Sequence, residues 1–123
     1  MQNDANLGGT LILFAREPVP GTVKTRLIPA LGPNGAARLY ERLLALALDA
    51  ARATPCARRQ LWSAGAPPGG GRSAGLAAAY GLTWHPQPDG DLGTRMATAL
   101  AAALAATSRA VLIGSDCPEY DAA

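Results

Sequence analysis

Thr10-Leu11-Ile12-Leu13-Phe14-Ala15 is apolar throughout after its threonine, and it runs straight into Arg16-Glu17-Pro18-Val19-Pro20-Gly21-Thr22-Val23-Lys24-Thr25-Arg26-Leu27. A short run rich in β-formers, ended by charge and proline, predicts a strand buried on both faces. Such strands form the interior of parallel sheets, so this stretch sets the expected class as α/β. Pro18 and Pro20 stiffen the exit, and Gly21 permits a tight turn or a close ligand approach. Lys24, Thr25 and Arg26 then place two cations and a hydroxyl together, and Lys24 is the only lysine in the chain.

In open α/β sheets, ligands bind outside the carboxyl ends of the strands. A loop there with glycine, backbone N–H groups, lysine and arginine suits a phosphate or diphosphate. The competing reading is a solvated basic turn. A P-loop is excluded, because that motif needs glycine directly before its lysine and Val23 stands there.

Downstream, Gly32-Pro33 predicts a helix start. Leu39, Leu43, Leu46, Ala47 and Ala50 are its expected apolar face, with Arg38, Glu41, Arg42, Asp49 and Arg52 on the wet faces. Thr54-Pro55 ends it. Gln60 to Ala64 is a second strand, and Ser73 caps a short helix that Gly81 closes. Leu82 to His85 is a third strand, whose histidine is read as structural. Leu92 to Ala106 is an alanine-rich helix expected to bury Met96, Leu100, Ala103 and Leu104. Asp91 at its start favours the helix dipole. Ala110 to Ile113 is the last strand, and Gly114-Ser115-Asp116-Cys117-Pro118 follows it.

Strands alternating with helices predict a Rossmann-like three-layer sandwich with a mostly parallel sheet. The expected strand order is third, second, first, fourth. The loops carrying Lys24 and Asp116 then leave adjacent strands at one sheet edge. A phosphate-binding cation and a carboxylate able to hold Mg2+ or Mn2+ would meet there.

The chain has 123 residues, enough for one domain, which buries roughly two thirds of its unfolded surface. Apolar residues make up 49% but aromatics only 5%, so the core must come from leucine, valine and alanine. The net charge of +2 comes without a basic run, which argues against nucleic acid as partner. Cys56 and Cys117 are too few for a disulfide scaffold and suit a reducing cytoplasm. Residues 1–9 are expected to be a disordered leader without signal-peptide features. No apolar segment reaches the roughly 20 residues of a membrane span, so the expected location is cytoplasmic.

Three ordered blocks carry a resemblance. Phe14-Ala15-Arg16 with Pro18, Pro20-Gly21 and Val23-Lys24-Thr25-Arg26-Leu27 is the first. Gln87-Pro88-Asp89-Gly90-Asp91-Leu92-Gly93-Thr94-Arg95-Met96 is the second, and Gly114-Ser115-Asp116-Cys117-Pro118 the third. Together they resemble a bacterial family of glycosyltransferase A-type proteins, with the nucleotide-diphospho-sugar transferase fold, of the arsenosugar-biosynthesis kind. The guanylyltransferases acting on phospholactate and on the molybdenum cofactor are more distantly similar.

The resemblance implies that residues 10–123 are the amino-terminal, nucleotide-binding half of such a domain, with the carboxy-terminal half missing. It implies a nucleotide and phosphate site at Ala15, Arg16, Gly21, Lys24, Arg26, Asp91, Arg95 and Ser115, and Asp116 as ligand of Mg2+ or Mn2+. The expected partner is a nucleotide-diphosphate sugar with an unknown acceptor. A second chain or a homodimer would cover the exposed edge of the Asp116 strand. No side chain is singled out as catalytic: Cys117 has no histidine beside it and is read as inert. A nucleotidyltransferase and a non-catalytic nucleotide-binding module are the alternatives.

Overall fold

The computed structural model describes residues 8–115. Strand β1 is Thr10–Arg16, β2 is Arg58–Ala64, β3 is Thr83–Pro86 and β4 is Ala110–Gly114. Helix α1 spans Ile28–Ala53, α2 Arg72–Ala79 and α3 Leu92–Ala106, and a 3-10 turn covers Thr25–Leu27. The strands form one sheet in the order β3-β2-β1-β4, and every pairing is parallel. This is the order expected from the alternation of strands and helices.

Side chains alternate across the sheet and so feed two cores. On one face, Leu11, Leu13 and Ala15 of β1 and Leu61 of β2 meet Tyr40, Leu44 and Leu48 of α1 and Ala77 of α2. On the other, Ile12, Phe14 and Trp62 meet Ala99 and Ala103 of α3. Helices on both faces make the three layers. Ile12 and Leu13 are both 0% exposed, each stabilising the fold by about 1.5–3 kcal/mol. The Thr10 strand therefore lies inside the sheet and is covered on both sides.

Three local expectations change. The apolar face of α1 is set by Ala36, Ala37, Tyr40, Leu44, Leu48 and Ala51, one position away from the expected set, and Leu46 is exposed. Leucine and alanine fill this helix so densely that neighbouring phases carry similar apolar content, and the spacing could not choose between them. Leu104 of α3 is likewise exposed, while the smaller Ala99 and Ala103 face the sheet. The helical region also begins earlier, at Ile28, with Gly32 at φ 73° breaking it just before Pro33. The predicted Gly32-Pro33 start is thus the start of the second, longer segment, where proline's missing N–H costs nothing.

Gly9 is already tied into the sheet, its carbonyl accepting from Ala57 and Arg58 N–H at 2.9 and 3.2 Å. Residues 1–7 of the expected leader lie outside the described residues. No described helix is long and apolar enough to cross a membrane.

Candidate functional site

The loop after β1 turns at Val19-Pro20-Gly21-Thr22, where Thr22 N donates to Val19 O at 3.0 Å. Proline second and glycine third, with Gly21 at φ 91°, is the residue pattern of a type II turn. No atom lies within 4 Å of where a Gly21 side chain would begin, so the backbone angle, not space, requires glycine. Val23 then plunges into the core at 2% exposure. Lys24 follows at φ 51°, the only non-glycine residue with positive φ among those described. An L-residue held there costs roughly 1–2 kcal/mol, and such strain clusters at functional sites.

Lys24 and Arg26 line a cavity of about 300 Å³ with Arg16, Thr22, Val23, Thr25 and Tyr40. Three cations and no carboxylate line it. A second cavity of about 260 Å³ lies over the carboxyl ends of β1 and β4, walled by Phe14, Ala15, Arg16, Tyr40, Ala64, Gln87, Leu92, Arg95, Gly114 and Ser115. Arg16 and Tyr40 belong to both. The point where the strand order reverses, between β1 and β4, is thus where the two cavities adjoin. Ligands bind at such switch points in open α/β sheets.

Tyr40 is the hinge pin of this arrangement. Its ring is buried in the α1 core, while its hydroxyl accepts from Arg16 N–H at 2.8 Å and bonds Ser115 Oγ at 2.9 Å. Ser115 N donates to Phe14 O at 3.0 Å. The exits of β1 and β4 are therefore joined through one phenol.

Glu17 fixes the other side of the same exit. Buried at 7% exposure, its carboxylate accepts from Arg72 N at 2.6 Å, Ser73 N at 3.2 Å and Ser73 Oγ at 2.6 Å. It caps α2 from across the fold, and a negative charge suits a helix amino terminus. Ser73 was expected to cap this helix itself. Instead Gly71 holds the cap position without a side-chain bond, and Ser73 relays from Glu17 to Ser63 Oγ at 2.9 Å, which accepts from Trp84 Nε1 at 2.8 Å. A side chain on Gly71 would meet Glu17 Oε2 at 2.5 Å.

The loop after β3 is held differently. Asp91 caps α3 by accepting from Thr94 N at 2.8 Å. That backbone N–H bond, and after it the Thr94 hydroxyl, hold the Asp91 carboxyl below its ordinary value; desolvation opposes them, and the nearby Arg95 charge adds the least. Arg95 donates through Nε to Gly90 O at 3.1 Å and through Nη1 to Gln87 Oε1. His85 stacks on Trp62 with ring centroids 4.9 Å apart, and burial lowers its pKa. It does not line either cavity.

Of the residues singled out in the sequence, Ala15, Arg16, Lys24, Arg26, Arg95 and Ser115 come together in the two cavities. Gly21 shapes the turn and Asp91 caps a helix, and neither forms cavity wall. Asp116 and Cys117 lie outside the described residues. Tyr40, Glu17 and Gln87 were missed. Apart from the Gln87–Arg95 bond across eight residues, their partners lie 24 to 75 residues away in the chain, where no local spacing could signal them. Among the described residues no group of three or more His, Cys, Asp or Glu could hold a metal ion.

The chain is similar to a crystal structure from Desulfovibrio desulfuricans G20 that bears the provisional name nucleotide-diphospho-sugar transferase. The two are 28% identical with a TM-score of 0.72, over 89% of this chain and 48% of the other. This chain thus spans about half the length of that protein. No curated protein matches it significantly in sequence. Residues 47–123 match the profile of the family described as "Uncharacterized protein conserved in bacteria (DUF2064)", and the chain belongs to that family.

Proposed function

We propose that this chain is the nucleotide-binding part of a glycosyltransferase A-type protein, taking a nucleoside-diphosphate sugar as donor and passing the sugar to an acceptor still to be found. The observation that carries the reading is the pair of adjoining cavities at the β1–β4 switch point, one of them lined by Arg16, Lys24 and Arg26. The provisional name of the half-matching crystal structure supports it. The closer likeness to arsenosugar-biosynthesis glycosyltransferases rests on the sequence blocks alone.

In this reading the diphosphate lies against Lys24 and Arg26, and the nucleoside reaches over β1 toward Arg95 and Ser115. Departure of a nucleoside diphosphate leaves negative charge on its phosphate oxygens. Fixed cations there stabilise the transition state, where that charge is building up, more than the ground state, by electrostatics and positioning. The left-handed backbone at Lys24 sets the direction in which its side chain leaves the loop. Mg2+ or Mn2+ belongs to the proposal through Asp116 only. Among the described residues no group of three or more His, Cys, Asp or Glu could hold a metal ion.

A partner along β4 is part of the same proposal. This strand ends the sheet among the described residues, with Val111 56% and Ile113 39% exposed. A second chain or a second copy pairing there would cover both.

Calorimetry with uridine and guanosine diphosphates tests the reading. Lys24→Ala should weaken diphosphate binding by about 1.5–3 kcal/mol and leave nucleoside binding unchanged. Equal losses for nucleoside and diphosphate would make Lys24 a support for the loop instead of a ligand. Separately, manganese should tighten diphosphate binding, and Asp116→Ala should abolish that increment. An unchanged manganese effect in the variant removes Asp116 from the metal site.

A further inference from the structure

Gln87 leaves β3 between Pro86 and Pro88, and its side chain reaches back across the ends of two strands. Nε2 donates to Ala15 O and to Trp62 O, each at 3.0 Å. Oε1 accepts from Arg95 Nη1. The amide has one workable orientation. Carbonyls only accept and a guanidinium only donates, so turning it over would set like against like at all three contacts. Both neighbours are prolines with fixed φ, which stiffens the backbone from which the side chain leaves.

Arginine is otherwise a long, mobile side chain, and fixing it at the moment of binding weakens affinity. Here its Nε is held by Gly90 O, on its own loop, and its Nη1 by Gln87. Through Gln87 the guanidinium is tied to the backbones of β1 and β2 themselves. Those two bonds use two of its five donors, and Arg95 forms part of the wall of the β1–β4 cavity with Ala15 and Ser115.

We propose that Gln87 is a positioning residue that fixes the Arg95 guanidinium on the cavity wall, so that an acceptor oxygen of the nucleoside meets preset donors. The inference rests on the nucleotide reading for its ligand, and on the hydrogen bonds above for its geometry. Gln87 stands in the same cavity wall, but its amide is taken up by Ala15, Trp62 and Arg95. Its effect on binding passes entirely through Arg95.

Two measurements on the full chain test it. The first needs no ligand: rotation about the Arg95 Cζ–Nη1 bond, read by nitrogen-15 relaxation of the Nη1 amino group, should be as slow as in a fixed group. In Gln87→Ala it should become as fast as in the exposed Arg42, and Gln87→Met, which keeps the length without the donors or acceptor, serves if the alanine variant does not fold. Rotation that stays slow overturns the proposal. The second is a double-mutant cycle read by calorimetry with uridine and guanosine diphosphates. Arg95→Ala should weaken binding about tenfold, Gln87→Ala by several-fold, and the double variant no more than Arg95→Ala alone. If Gln87→Ala weakens binding equally with and without Arg95, it acts on the strand ends and the proposal falls. If the wild type binds no diphosphate, the nucleotide reading is lost and the ligand half of this inference with it. The relaxation result then still decides whether Gln87 holds Arg95.

Discussion

The loops after β1 and β3 face the same end of the sheet but are built on opposite plans. The β1 loop is anchored at its root by Glu17 and by the Arg16 N–H bond to Tyr40, and midway by Val23. Its tip carries exposed charge and one strained residue. The β3 loop is bonded at almost every step, from Gln87 through Gly90 to the Asp91 cap. The first loop is stabilised by burial and long-range bonds so that its tip can hold an unfavourable shape. The second is stabilised by its own side chains and stores no strain at a non-glycine residue.

The contrast breaks most visibly at Glu17. Glu17→Ala leaves Arg72 N, Ser73 N and Ser73 Oγ without their buried acceptor, and the loss should be about 3 kcal/mol, read as a drop in the urea midpoint at constant slope. A loss under about 1 kcal/mol, the scale of an ordinary helix cap, would mean that the β1 loop is not rooted there.

On the β3 side the expected effect is smaller and depends on pH. The folded-state pKa of Asp91 is lowered below its ordinary 3.8. Its contribution is therefore fully present above that value and is lost as pH falls through the lowered folded value. Urea midpoints of wild type and Asp91→Ala should differ at pH 6 and converge in strong acid, below both values. A gap that persisted undiminished there would show that the carboxylate charge plays no part in the cap.

The smallest effect has the opposite sign. Lys24→Gly removes the roughly 1–2 kcal/mol of positive-φ strain and adds about 0.5–1 kcal/mol of chain entropy. The net result should be a stabilisation of about 0.5 kcal/mol in denaturant titration. Lys24→Ala, which keeps the strain, should show no such gain. If glycine were destabilising, the lysine side chain would be holding the loop together.

How far these loops were legible in the sequence follows from the same difference. β1 and β4 announced themselves through unbroken aliphatic runs, and the strand order followed from alternation with helices. Gly21 was readable because Pro-Gly has few backbone options. The side of α1 that meets the sheet was not, since Tyr40 is placed by its hydroxyl's partners on β1 and near β4, which a period of 3.6 residues cannot see. Glu17, flanked by Arg16 and Pro18, looked like ordinary loop charge. Only the meeting of β1 with α2 turns it into a buried cap. Gln87 sat within a recognised block, yet its amide's reach to β1 and β2 exists only once the strands are side by side.

The contact between Gly71 and Glu17 also constrains how the sequence can drift. The φ of Gly71, −148°, lies outside the left-handed region that favours glycine. What forbids a side chain is Glu17 Oε2 at 2.5 Å and Pro67 Cδ at 2.9 Å. A lineage that gains a methyl group at 71 must shorten or withdraw the carboxylate at 17, and in doing so gives up the cap on α2. The two positions, 54 residues apart, should therefore change together or not at all.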